Sequence, residues 1–212
     1  MENASKALMF AGTILITLMV ISAVVFMYRD LTSVKRQESE NQKVEEIAEF
    51  NKSFESYEKD LKGAQIFSLA NKITDYNTKY VQNMDEGYEA ITLTVEVDNG
   101  KKDASYYVEL QSDIDGMIKD KYISSNYLEA LHEAKENENN SDQKTKEKAE
   151  ETKEELKKKL GNKYNKAYKD VNEDWNKYNN EYKAIKNKKF ESNGVTYYSN
   201  GRIKSMTYTQ KN

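Results

Sequence analysis

The chain predicts an α+β protein. The expected layout is an N-terminal transmembrane helix continuing into an amphipathic helix, a helical middle region, and two β-hairpins forming a small antiparallel sheet. Three observations predict it. Residues Ala7 to Tyr28 read ALMFAGTILITLMVISAVVFMY without a single charge. Around Ile91 the apolar spacing switches from three-and-four to two, the change expected where helix gives way to strand. Asn99-Gly100 follows the alternating run Ile91–Val97, and Asn200-Gly201 stands between Val195–Tyr198 and Ile203–Tyr208, each a strong short-range hairpin signal.

The apolar run comes first because it bears on where the rest resides. As a helix it spans about 33 Å, enough for a hydrocarbon core of about 30 Å. In hydrocarbon every backbone polar group must be satisfied within the segment, which leaves a single helix as the form. A cleaved signal would show a basic start, a shorter run and small residues at the cut site. Here Val25, Phe26, Met27 and Tyr28 close the run with bulky side chains, so retention as an anchor is expected over residues 1–29. Tyr28 and Arg29 suit a headgroup-level anchor, an aromatic followed by a snorkelling cation. Ala4, Ala7 and Ala11, with Gly12 adjacent, recur on one face and form a candidate membrane-packing surface. The flanking charges are Lys6 on one side and Arg29, Lys35 and Arg36 on the other. Taken alone they point the large C-terminal domain inward.

Composition bounds what that domain does. Of 212 residues, 33 are Lys or Arg and 36 are Asp or Glu, a formal net charge of −3. That balance gives no case for nucleic-acid binding. There is no cysteine, which excludes disulfides, thiolate metal sites and cysteine nucleophiles. There is no proline either, which permits long helices. Tyrosines number 16 against 6 phenylalanines, giving amphipathic packing surfaces. Mean hydropathy is −0.95 and 33 % of residues are charged, too polar to supply a soluble core around the apolar run.

Residues 30–80 read as juxtamembrane amphipathic helices. Ile47, Phe50, Phe54, Tyr57 and Leu61 recur at three and four and form a candidate helix-packing face. Gly63 marks a break, and Ile66, Leu69, Ala70, Ile73, Tyr76 and Tyr80 trace a second helix. Residues 81–112 read as the first hairpin, with Ile91, Leu93, Val95 and Val97 on one strand, a turn at Asp98-Asn99-Gly100, and Tyr106, Val108 and Leu110 on the return. Residues 113–189 read as a charged helical insertion. Helix is expected from Asp113 to Lys135, and Asn137 to Lys159 reads as a solvated helix, a loop leading into one, or both. Tyr168, Val171, Trp175, Tyr178, Tyr182 and Ile185 then make a seam of period three and four. Such aromatics are bulky for a two-stranded coiled coil and suit packing within the chain. Residues 190–212 read as the C-terminal hairpin, with Asn200-Gly201 in a type I′ turn and Asn193-Gly194 a further turn before it.

Catalytic sets are not found. With one histidine, His132, multi-histidine metal sites are absent from the sequence, and His132 reads as a surface residue. No phosphate-cradling glycine loop or GxSxG elbow occurs. Asp113 and Asp115 before Gly116 match a calcium loop only faintly, because no closing Glu follows in register. No enzyme activity, cofactor, metal or small-molecule substrate is therefore expected.

Two stretches carry a resemblance: EEIAEFNKSFESYEKDLKGAQIFSLANKITDYN (Glu45 to Asn77) and GVTYYSNGRIKSMTYTQ (Gly194 to Gln210). Together, behind an apolar helix, they resemble a family of uncharacterised small single-pass membrane proteins of low-GC Gram-positive bacteria. The order of elements is similar to that of type IV pilins and pseudopilins. That likeness implies an extracytoplasmic head and a structural or assembly role at the cell membrane, with the lipid bilayer and self-association, or another membrane or cell-surface protein, as partners. Ahead of the run Glu2 stands without the Gly-ended leader of pilin precursors, so the likeness does not carry prepilin-peptidase processing over. The alternative is a membrane-tethered binding module, an adhesin or accessory factor, contacting its partner through the helical insertion.

Overall fold

The computed structural model describes residues 2–82, 88–98 and 100–211. The chain divides into two compact units, residues 1–53 and 54–212. The first is one helix, α1 (Glu2–Lys52), about 77 Å long at ~1.5 Å per residue. Its continuity follows from the absence of Pro and the single internal Gly12, and it buries none of its residues.

The second unit is α+β. Its five strands are β1 (Leu61–Lys62), β2 (Thr92–Val97), β3 (Gly100–Lys102), β4 (Lys189–Tyr197) and β5 (Ile203–Gln210). They lie in the order β1-β4-β5-β2-β3. Its helices are α2 (Gly63–Tyr76), α3 (Ala104–Met117), α4 (Ser125–Asn137), α5 (Gln143–Leu160), α6 (Tyr164–Asn176) and the short α7 (Ala184–Asn187). Alternation works as expected on β2, where Leu93 and Val95 are buried; Ile203, Met206 and Tyr208 are buried on β5, and α2 and α3 pack on each other and on β2. The fold class is the expected one, but the sheet is mixed, because β2 runs parallel to β5 with Leu93 opposite Met206 and Val95 opposite Tyr208.

The first hairpin is cut short. Strand β3 ends at Lys102, and Tyr106, Val108 and Leu110 lie in a helix instead of a return strand. The reason is Asp103, whose Oδ1 accepts from the Tyr106 N–H (3.1 Å) and the Ser105 hydroxyl (2.7 Å), capping α3. The buried set is then Tyr107, Leu110 and Ile114, a helical spacing that overlaps the alternating one at Leu110. Gly100 begins β3 opposite Val97, and Asn99 lies outside the described residues.

The C-terminal hairpin forms, β4 against β5, with a register shift between Ser192 and Gly194 where a turn was expected. Its Asn200-Gly201 pair does not adopt type I′ geometry, which needs positive φ at both positions. Only Gly201 has it, at +88°. The loop from Tyr198 to Arg202 is longer than two residues, and the Asn200 side chain folds back to accept from the Arg202 N–H (2.9 Å).

Residues 118–183 leave the sheet layer and return to it. Tyr122, Leu128, Leu131, Leu156, Leu160, Ala167 and Val171 form a core cluster there, contributed by α4, α5, α6 and the turn before α4. The charged stretch is the helix α5, capped by Asp142 accepting from the Thr145 N–H (2.9 Å). The helix expected from Asp113 to Lys135 is interrupted. It opens into a π-helical turn at Ile118–Tyr122 and breaks at Ile123, which has φ +69°. The aromatic seam is likewise split, since α6 passes into a π-helical segment at Lys177–Lys183 before α7.

Candidate functional site

The most extensive exposed feature is on α1. Between Leu8 and Tyr28 the large apolar side chains are each 51–78 % exposed, which in water sets a heavy hydrophobic penalty. The hydroxyls inside the run are turned inward: Thr13, Thr17 and Ser22 donate to the carbonyls of Met9, Thr13 and Leu18 at 2.7–2.8 Å. The helix thus satisfies its own side-chain hydroxyls as well as its backbone, the condition hydrocarbon imposes. It is the one helix among the described residues long and apolar enough to cross a membrane, and it lies near the N-terminus. Ala4, Ala7, Ala11 and Gly12 all lie on it and are exposed, and a Cβ added at Gly12 would meet nothing within 4 Å.

The predicted helix-packing residues separate. Ile47 and Phe50 belong to α1, half-buried. The helix stops at Lys52, so Phe54, Tyr57 and Leu61 do not continue that face. Phe54 (1 % exposed) and Leu61 (2 %) are instead core residues of the second unit, and a 3₁₀ turn at Glu55–Tyr57 joins them. Burying two large side chains outweighs the helical propensity of the segment. The Tyr57 carbonyl accepts from the Tyr208 hydroxyl on β5, tying this segment to the sheet. Gly63 starts α2 instead of ending a helix. Its N–H donates to the Lys188 carbonyl (2.8 Å), and a Cβ there would fall 1.8 Å from the Ile185 oxygen.

The aromatic seam serves the helical excursion's own core. Val171 is fully buried, and Tyr168, Trp175 and Tyr178 pack against the Leu128–Leu131–Leu156 cluster. Tyr182 lies edge-on to Phe67 of α2 (5.1 Å between centroids), and Ile185 lies on α7. Tyr168 is held by polar contacts too. Its hydroxyl donates to Glu138, its carbonyl accepts from Lys135 Nζ (2.7 Å), and that cation stands 4.7 Å over the ring. His132 is not a surface residue: its side chain is 14 % exposed and stacks on Trp175 at 4.6 Å. Burial lowers its pKa below the usual histidine value. Asp113 and Asp115 lie within α3, where Asp113 pairs with Lys177 at 2.8 Å.

One charged node escaped sequence reasoning. Asp174 is buried in α6 and receives Lys121 Nζ at 2.8 Å and the Tyr122 hydroxyl at 2.7 Å, while Lys121 also reaches Asp170 at 2.8 Å. Burial works against the Lys121 charge, but the hydrogen bonds to Asp170 and Asp174 outweigh it and hold the lysine pKa above its ordinary value. Lys121 in turn holds the Asp170 carboxyl below the usual range. Burial, then the Asp174 carboxylate, raises the Tyr122 phenol. Two protein carboxylates already occupy Lys121, so the node ties α6 to the turn before α4. The partners lie 49 and 53 residues apart, and no local pattern announces them. Among the described residues no group of three His, Cys, Asp or Glu side chains could hold a metal ion. No protein-family model, curated protein or solved structure matches this chain.

Proposed function

We propose that the chain is a single-pass membrane protein that displays its α+β unit on the outer side of the cell membrane as a structural or assembly subunit with a pilin-like layout. One observation carries the reading: a charge-free helical stretch of membrane-spanning length, exposed on every side, with its hydroxyls bonded back to its own carbonyls. Such a surface is stable in lipid and aggregation-prone in water. The Ala4–Ala7–Ala11–Gly12 face offers close approach to another spanning helix, which suits self-association. The outward side rests on the resemblance of the Glu45–Asn77 and Gly194–Gln210 stretches, against the short-flank charges.

Fractionation tests the anchor, and protease shaving of intact cells tests the side. The expected result is full-length protein in the membrane pellet, released only by detergent, with the 54–212 unit lost on shaving. Protein in the supernatant without detergent overturns the anchor; full protection moves the unit inward. Crosslinking in membranes tests assembly, and a purely monomeric pattern overturns that part.

A second reading is a tethered binding module. It is favoured by the groove between α4 and α5, about 520 Å³, floored by Ala130, Ala134 and Ala149 with Lys144 and Glu133 beside it. Removing 118–183 should then abolish partner capture while leaving membrane insertion intact.

A further inference from the structure

The two edges of the sheet differ in character. Edge strand β3 is three residues long and carries Lys101 and Lys102, the kind of charge that keeps a sheet edge from pairing with another chain. At the other edge β1 covers only the start of β4, with Leu61 opposite Phe190 and Lys62 opposite Lys189. The Asp60 carboxylate then accepts from the Ser192 N–H (3.1 Å). Past Ser192, no backbone among the described residues pairs with the outer side of β4. The Tyr198 N–H and carbonyl both turn inward, to the Arg202 carbonyl (2.8 Å) and the Gly201 N–H (2.9 Å). Backbone polar groups alternate sides along a strand, so those of Thr196 face β5 while those of Val195 and Tyr197 face away from it. The bulge between Ser192 and Gly194 lies ahead of this stretch. The second register shift puts its extra residue, Lys204, on β5 and leaves the pleat of β4 intact. Residues 192–201, SNGVTYYSNG, are the longest charge-free run outside α1, in a chain of which 33 % is charged, and they contain no proline. Tyr197 is 49 % exposed, and its hydroxyl reaches Glu58 at 3.4 Å. Thr196 is exposed on the other face, bonded to the Ser205 hydroxyl at 2.7 Å.

We propose that this open edge pairs with the same edge of a second copy, antiparallel about a two-fold axis at Thr196, so that two sheets become one. The proposal rests on the assembly reading above and gives it a contact outside the bilayer. In that register Val195 of one copy exchanges both N–H···O bonds with Tyr197 of the other, and the axis repeats the exchange. The side chains suit self-pairing. Valine stands beside tyrosine and threonine beside threonine, all strong strand formers, and no like charges meet across the axis. The same operation on β3 would bring lysines together. The contact is short, and tethering two copies to one bilayer raises their effective concentration enough for it to form.

The chain has no cysteine, so a single introduced thiol reports a single position. Across the axis the two Thr196 Cα atoms would stand about 4.5 Å apart, within disulfide reach. Lys204, exposed on β5, would lie three strand spacings from its counterpart, about 14 Å, and out of reach. Membranes carrying the full chain are oxidised mildly and their protein is separated without reductant. The expected result is disulfide-linked dimer from Thr196→Cys, at least about fivefold more than from Lys204→Cys. Val195→Pro removes an outward N–H and leaves the bonds to β5 in place, so adding it to Thr196→Cys should lower the dimer yield at least about fivefold. Equal yields from Thr196→Cys and Lys204→Cys overturn the proposal, and so does a Thr196→Cys yield that Val195→Pro leaves unchanged. If an amine-reactive crosslinker captures oligomers in the same membranes while Thr196→Cys stays unlinked, the edge contact is overturned and the assembly reading stands on α1 alone.

Discussion

Replacing Lys121 by Met removes the cation from the node and leaves Asp170 and Asp174 side by side. The Lys121 and Asp174 side chains are 16 and 10 % exposed and meet at 2.8 Å. At an effective dielectric of ~20 their gross attraction is roughly 6 kcal/mol, most of it offset by desolvation. Removing one partner of a buried pair costs about 3–5 kcal/mol, and of an exposed pair about 0–1. This pair lies nearer the buried limit, so Lys121→Met should destabilise the second unit by about 2–4 kcal/mol at pH 7. For a unit of this size that is a fall in Tm of roughly 5–12 °C. Thermal unfolding of the full chain in detergent, followed by circular dichroism, reads it directly.

The pH dependence supplies the sign. In the native protein Asp170 has a lowered folded pKa. Its contribution is present above the unfolded value of about 3.9 and is lost as pH falls through the folded pKa. In the variant the cation that lowers the Asp170 pKa is gone and the neighbouring carboxylate repels its charge, so the variant loses less stability on acidification than the native protein does. The deficit should therefore shrink between pH 7 and pH 4. The double variant Lys121→Met, Asp174→Leu should lose less than the single one, because no buried charge is stranded. A deficit under about 0.5 kcal/mol, or one equal at both pH values, would refute the electrostatic account of the node.

Three further outcomes follow from local geometry. Ile123→Gly should raise stability by about 1 kcal/mol: a β-branched residue at φ +69° costs about 1–3 kcal/mol and its side chain is 55 % exposed, while glycine returns only part of that in chain entropy. Gly63→Ala should cost about 3 kcal/mol, since its Cβ would collide with the Ile185 carbonyl at 1.8 Å and force α2 and α7 apart; an unchanged Tm would show that α7 yields freely. Leu15→Arg together with Leu18→Arg adds about 6–8 kcal/mol to the cost of crossing hydrocarbon, so the extractable fraction should rise in alkaline carbonate, whereas Leu18→Ala should leave it unchanged.

The apolar stretch of α1, the buried face of α2 and the alternation of β2 are legible because each is a local periodicity. The Tyr106–Leu110 segment was misread for an instructive reason. Over five residues, alternation through Tyr106, Val108 and Leu110 and helical spacing through Tyr107 and Leu110 fit equally well, and only the Asp103 cap decides between them. The stripe through Ile47, Phe50, Phe54, Tyr57 and Leu61 fitted one helix by spacing, yet burial of Phe54 and Leu61 broke it. The parallel pairing of β2 with β5 joins residues more than a hundred positions apart, beyond any local signal.

The ion pair between Asp113 and Lys177 has an evolutionary corollary. It pairs a residue just ahead of the helical excursion with one on the returning Lys177–Lys183 segment, so the departing and returning strands of chain run side by side. Material grafted between such neighbouring ends need not strain the sheet, whatever its length, so this arm is free to be lengthened, pruned or exchanged among lineages while the platform beneath stays constant. Variation among descendants should therefore gather between residues 118 and 183, with the strands and α2 changing more slowly.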